Sequence, residues 1–250
     1  MIICNGFPKS GTNLLMRVVA LMGIPGCNSM IAQNNPKQDK IGYKILNHIS
    51  GKEYSKTKTN WETFDAIPNT KHVHAHLHPN IPHQHLLNNH KMVVIIRHPK
   101  NAMISYCRWK IHSPEQQRNW ESPSKRFNTL KANIEKTRVD KDVMLSFPEH
   151  YRGFYTGWMQ HNSPNVLLVK FEELQDKTVL EKIASHVGSS VQFDADTIFG
   201  THNNQKLGIT TRSTFSGDWS EWQSVWCDEL EQIWREHGGL ECEQRLGYSE

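Results

Sequence analysis

Along the chain, short apolar runs alternate with stretches in which apolar residues return every three or four positions. Runs of the first kind read as buried strands, and stretches of the second kind as amphipathic helices. Met1 to Cys4 is the first run and predicts a strand that starts almost at the first residue. Leu14, Leu15, Val18, Val19 and Met22 then recur at helical spacing until Gly23 and Pro25 stop the helix. Met92 to Ile96 is a continuous apolar run rich in β-branched residues, as a central strand buried on both faces requires. Pro99 follows where the first turn of a helix favours it, with Ala102, Met103, Cys107 and Ile111 as the inner face.

Lys71 to Leu77 and Val166 to Phe171 predict two further strands, and a long helical stretch is expected within 115–162. Thr178 with Glu181 has the spacing of a capping box, and Leu180, Ile183 and Val187 form the stripe of the helix it would open. A last helix is expected from about Trp219 to His237, stopped by Gly238 and Gly239. Residues 26–70 are polar, rich in Asn and Lys, and give no clear element. This alternation predicts an α/β protein, a three-layer fold with a central parallel sheet flanked by helices, in a single domain of residues 1–250.

Composition narrows the partners. Hydrophobic residues make up 37% and charged residues 22% of the 250, as in an ordinary globular protein. A formal charge of +4 suits an anionic ligand, and the absence of a long basic run argues against nucleic acid. No apolar stretch approaches the ~20 residues of a membrane span. The first residues lack the basic and long apolar regions of a signal peptide. Five scattered cysteines without a CxxC pair imply free thiols in a reducing compartment, and a cytoplasmic location is expected.

Chemistry enters at the turn between the first strand and the first helix. Gly6-Phe7-Pro8-Lys9-Ser10-Gly11-Thr12-Asn13 offers successive backbone N–H groups and a helix N-terminus to an anion. Gly11 permits close approach, Ser10 and Thr12 add hydroxyls, and Lys9 adds a mobile charge. The loop is P-loop-like, but Thr12 stands where the Walker lysine belongs and Asn13 where the magnesium-binding hydroxyl belongs. A metal-free loop of this kind suits a sulfuryl group better than a nucleoside triphosphate. At the end of the strand Met92–Ile96, Arg97 is followed eight residues later by Ser105, a guanidinium and a hydroxyl suited to a terminal phosphate.

These segments resemble the sulfotransferases that use 3′-phosphoadenosine-5′-phosphosulfate (PAPS) as donor and release 3′-phosphoadenosine-5′-phosphate (PAP). Pro8-Lys9-Ser10-Gly11-Thr12 is similar to the family's loop for the 5′-phosphosulfate, and the resemblance extends donor binding to Asn13. Arg97 and Ser105 match its 3′-phosphate pair. Phe171, in Leu167–Leu174, stands where a tyrosine usually helps to hold adenine, and Arg212-Ser213-Thr214-Phe215-Ser216-Gly217-Asp218-Trp219 is similar to a late loop on the 3′-phosphate. There Ser213 and Thr214 replace Lys-Gly, while Leu14 replaces a tryptophan found near adenine in many members. The family's dimer motif survives only in part, as Ser220, Ser224, Val225 and Glu229, which leaves the oligomeric state open.

Seven histidines lie between His72 and His90, and His72, His74, His76 and His78 would share one face of a strand. The resemblance picks out His76 as the general base, with His74 or His78 as rivals through a slip of register. Alternating histidines could also bind a metal, although no cysteine or carboxylate completes a ligand pattern. The resemblance implies in-line transfer to a hydroxyl or amine of a small-molecule or glycan acceptor, with His76 and Lys9 as catalytic groups and no metal required. The alternatives are a P-loop nucleotide kinase, or a non-catalytic protein that binds a nucleotide or a metal.

Overall fold

In the computed structural model, residues 1–33, 43–47, 69–79, 84–112, 139–199 and 221–248 are described. Their strands form one sheet. β1 (Ile2–Gly6) lies at its centre between β4 (His72–His76) and β5 (Lys91–Ile96). β2 (Gly26–Gln33) pairs with β4, and β6 (Val166–Lys170) with β5. These five strands run parallel. β3 (Tyr43–Asn47) adds an antiparallel edge to β2, giving the order β3-β2-β4-β1-β5-β6.

The apolar runs became the centre of the sheet because both of its faces are covered. Ile3, Cys4, Val93, Val94 and Ile95 are all fully buried. The fold is thus α/β with a central parallel sheet and flanking helices, as the periodicity predicts. The antiparallel edge is an addition, and β2 and β3 both fall in the polar stretch that offered no pattern. The chain leaves β1 towards β2 on one side, whereas β5 leads to β6 on the other. In open α/β sheets, ligands bind at such a reversal, outside the carboxyl ends of the strands.

Packing divides the chain into two units, Met1–Ile96 with Gly157–Gly217, and Arg97–Thr156 with Asp218–Glu250. The first holds the sheet, α1 (Thr12–Leu21), α2 (Gln84–Asn89), α5 (Lys177–Val187) and α6 (Ala195–Phe199). The stripe Leu180, Ile183 and Val187 is buried as expected, but the helix starts differently. Asp176 is the N-cap, its carboxylate accepting from Thr178 N–H at 2.7 Å, and Glu181 faces Lys177 at 3.8 Å rather than folding back. An aspartate one residue before the helix satisfies an orphan amide that the Thr178 hydroxyl, already inside the first turn, cannot reach.

The second unit contains α3 (Pro99–His112), most of α4 (Lys141–Met159), α7 (Glu221–Val225), α8 (Asp228–Glu236) and α9 (Gly239–Arg245). Ala102, Met103 and Cys107 line the buried face of α3. α4 starts at Lys141, where the Asp140 carboxylate accepts from Val143 N–H at 3.0 Å, while 115–138 lie outside the described residues. The single C-terminal helix expected from Trp219 to His237 is instead two. Cys227 is extended, and three acidic residues, Asp228, Glu229 and Glu231, favour a new helix start behind it. Gly238 turns the chain at φ 81°, and α9 follows, with Gly239 so close to Trp234 that a Cβ would stand 2.3 Å from its ring. Among the described residues no helix is long and apolar enough to cross a membrane, and all five cysteines are free thiols.

Candidate active site

β1 delivers the chain to the loop that the sequence offers to an anion. The strand is buried throughout and ends at Gly6, and Phe7 to Gly11 lead into α1. A Cβ on Gly6 would lie 2.8 Å from Thr12 Oγ1 and 2.9 Å from Ile95, so only glycine lets the loop fold this tightly over the sheet. Ser10 is fully buried, and its N–H donates to the Phe7 carbonyl at 3.0 Å while its hydroxyl donates to the same oxygen. Gly11 occupies the N-cap at φ 99°, and its carbonyl accepts from Leu14 and Leu15 N–H. Among the described residues no side chain caps α1, and no acidic residue stands in its first turn, so the positive end of the helix could accept an external anion.

Lys9, at φ 73°, is the one non-glycine residue with a positive φ among the described residues. A left-handed lysine costs about 1–2 kcal/mol relative to an ordinary conformation, and such strain concentrates where function needs it. Thr12 Oγ1 and Asn13 Oδ1 are buried and have no hydrogen-bond partner among the described residues. Orphaned polar atoms at the mouth of an uncapped helix are what a bound ligand would satisfy.

Phe171 reaches the same loop from β6. It begins a single 3₁₀ turn, Phe171–Glu173, and its ring lies so close to Gly11 that a Cβ there would collide with Cδ2 and Cε2. His76 arrives from β4. Parallel pairing sets Ala75 opposite Asn5, one residue before the loop, and His76 Nδ1 lies 2.6 Å from the Gly6 carbonyl oxygen. A carbonyl can only accept, so Nδ1 carries the hydrogen, and Nε2 is the nitrogen that takes up a proton. The loop, Phe171 and His76 therefore meet within the first unit. Asn5 and Trp158, which sequence reasoning passed over, secure the backbone just after His76. Leu77 N–H donates to Asn5 Oδ1 at 2.8 Å, and Trp158 Nε1 donates to Leu77 O at 2.9 Å.

The neighbouring histidines differ in kind. His74 is buried with its ring centroid 4.5 Å from that of His76. His72 is fully buried with Nδ1 2.7 Å from the Ile24 carbonyl, and desolvation lowers its pKa to about 4. It is a neutral core residue. Since the unfolded histidine titrates near ~6.5, the unfolded state binds the extra proton first as pH falls. Stability should then be full above pH ~6.5 and decline towards pH ~4, by roughly 1–3 kcal/mol from this residue. Urea unfolding across that range checks the decline, and His72→Gln should make it shallower by the share of this residue, the buried His98 contributing in the same sense.

Arg97 and Ser105 belong to the second unit. The Arg97 backbone is gripped by the buried Tyr151, whose hydroxyl donates to Arg97 O at 2.7 Å and accepts from Arg97 N–H at 3.2 Å. Burial raises the Tyr151 pKa well above the usual range, so the phenol keeps its hydrogen. His98 stacks on Trp222, and burial, then the charges of Lys100 and Arg97, lower its pKa to about 4. Lys100 is buried between Glu231 at 2.8 Å and Glu243 at 3.3 Å, under the rings of Trp222 and Trp226. This network joins α3 to the C-terminal helices. Ser105 sits half-buried on α3. Arg212 and Ser213, like His83, lie outside the described residues.

A profile of the sulfotransferase domain matches residues 1–206. The chain belongs to the sulfotransferase family. The match spans the loop, His76, Arg97, Ser105 and Phe171. No curated protein matches the sulfotransferase chain in sequence. Among solved structures, it is similar to mouse sulfotransferase SULT7A1 complexed with PAP, at 17% identity and a TM-score of 0.57, covering 98% of this chain and 83% of that one. It is also similar to retinol dehydratase in complex with androsterone and inactive cofactor PAP, at 13% identity and a TM-score of 0.55, covering 97% and 80%. Retinol dehydratase with retinol and PAP gives 15% identity and a TM-score of 0.51, covering 98% and 80%. At such identities the likeness establishes the shared fold.

Proposed function

We propose that this sulfotransferase moves a sulfuryl group from PAPS to a hydroxyl or amine of a small-molecule or glycan acceptor, with His76 as general base and without a metal. The observation that carries the reading is His76 held by the Gly6 carbonyl at the head of an uncapped anion loop. The orphaned Thr12 hydroxyl supports an anionic ligand there. Lys9, Ser10, Gly11, Thr12 and Asn13 would hold the 5′-phosphosulfate and Phe171 the adenine. By resemblance, Arg97, Ser105, Arg212 and Ser213 would hold the 3′-phosphate.

When bound, PAPS supplies a sulfuryl group already joined to a phosphate leaving group. His76 Nε2 takes the proton of the acceptor as its oxygen or nitrogen bonds to sulfur. The Lys9 ammonium meets the negative charge left on the phosphate oxygen as its bond to sulfur breaks. Loop N–H groups and the Ser10 and Thr12 side chains orient the group, so positioning and fixed electrostatics supply most of the acceleration. The PAP-bound sulfotransferase among the structural neighbours supports this choice of donor. The androsterone and retinol held by retinol dehydratase make hydrophobic alcohols the first acceptors to screen.

Calorimetric titration with PAP, with Mg-ATP in parallel, tests the donor. PAP should bind without metal, and Arg97→Ala should weaken it by about 1.5–3 kcal/mol, as loss of a charge-assisted hydrogen bond does. Preference for Mg-ATP would return the chain to the nucleotide kinases.

A further inference from the structure

Asn5 takes no part in the proposed chemistry, yet it is fully buried at the carboxyl end of the central strand. Its carboxamide makes two hydrogen bonds to one residue. Leu77 N–H donates to Oδ1 at 2.8 Å, and Nδ2 donates to Leu77 O at 3.1 Å. Leu77 is where the chain departs from the sheet, because β4 ends at His76 and its ladder with β1 ends at the pair Asn5–Ala75. The asparagine side chain, itself an amide, thus supplies the donor and acceptor that the main chain of β1 no longer offers.

Leu77 O accepts a second bond, from Trp158 Nε1 at 2.9 Å. Side chains alone satisfy both polar groups of this buried residue, which otherwise would lack partners away from water. The neighbouring position carries the second tie. His76 Nδ1 meets Gly6 O at 2.6 Å, so Asn5 to Leu77 and Gly6 to His76 are consecutive cross-links between the two strand ends. The backbone that aims the imidazole is held by Asn5, and the carbonyl that orients it follows Asn5 directly.

We infer that Asn5, assisted by Trp158, is the positioning residue that fixes the ring orientation and tautomer of His76. The inference rests on the reading of His76 as general base. Without the clamp, the His76–Leu77 segment is free to turn, the Nδ1 bond to Gly6 O is lost, and Nε2 no longer faces the acceptor. The loop that receives the donor keeps its own framework, the bonds of Ser10 to Phe7 and of Leu14 and Leu15 to Gly11, so turnover suffers and donor affinity does not.

The test is a double-mutant cycle on the whole protein. Asn5→Ala should lower kcat about 10- to 100-fold with KM for PAPS and PAP affinity unchanged. It should lower kcat no further in a His76→Ala background, because the two residues act as one unit. Ring ¹⁵N spectra should give the Nδ1–H tautomer of His76 in the wild type and a mixture in Asn5→Ala. Equal losses in both backgrounds, or an unchanged tautomer, would overturn the inference. If Asn5→Ala does not fold, Trp158→Phe keeps most of the bulk, removes one donor, and carries the same cycle with the same outcomes. Full activity in His76→Ala alone would instead sink the reading of His76 as base, while the tautomer spectra still judge the clamp.

Discussion

His76→Ala should lower kcat by about 10²–10⁴-fold, the usual worth of a positioned general base, while PAP binding stays intact. The imidazole is tied to the loop at the Gly6 carbonyl, and the loop has its own framework in the bonds of Ser10 to Phe7 and of Leu14 and Leu15 to Gly11. Steady-state kinetics at saturating PAPS, with PAP titrated calorimetrically, separates the two quantities. Loss of PAP binding along with turnover would mean that His76 braces the loop and does not move a proton.

The second large effect should come from Lys9→Gly, which should cost activity without costing stability. Turnover should drop by about 10²–10³-fold, as expected when one group that stabilises developing charge is removed. Lys9 holds a left-handed conformation at φ 73°, which glycine adopts without a steric penalty. Relief of that strain offsets the greater freedom of glycine in the unfolded chain, so stability should be unchanged or rise by up to about 1 kcal/mol. Thermal unfolding and kcat measured on the same preparation check both signs. A variant that loses stability and activity together would make Lys9 a structural element of the loop, and the strain would have another explanation.

Much of this arrangement was legible in the residues, because the signals were local. β1 and β5 announced themselves as unbroken apolar runs, since a strand covered on both faces needs no alternation. The loop was readable because glycine spacing, lysine and hydroxyls sit within eight consecutive residues. Other features depended on partners far along the chain. β2 and β3 are polar enough to hide, and they became strands only through pairing with β4 and with each other. The cap at Asp176 won over Thr178 through two residues of offset, and the C-terminal helix broke at Cys227 where acidic residues begin a new helix.

The amino-acid sequence by itself determined the α/β class and the glycine-spaced turn from Gly6 to Asn13, which are matters of residue types at short spacing. Its resemblance to the sulfotransferases singled out His76 among the neighbouring histidines. Only the tertiary structure decided the state of those residues. It buried His72 so that the imidazole stays neutral, bent Lys9 into a left-handed turn and pressed Phe171 against Gly11. It also set Asn5 and Gly6 opposite Leu77 and His76, some seventy positions away along the chain. Tautomer, strain and burial arise from contacts between strands, and no periodicity along one strand encodes them.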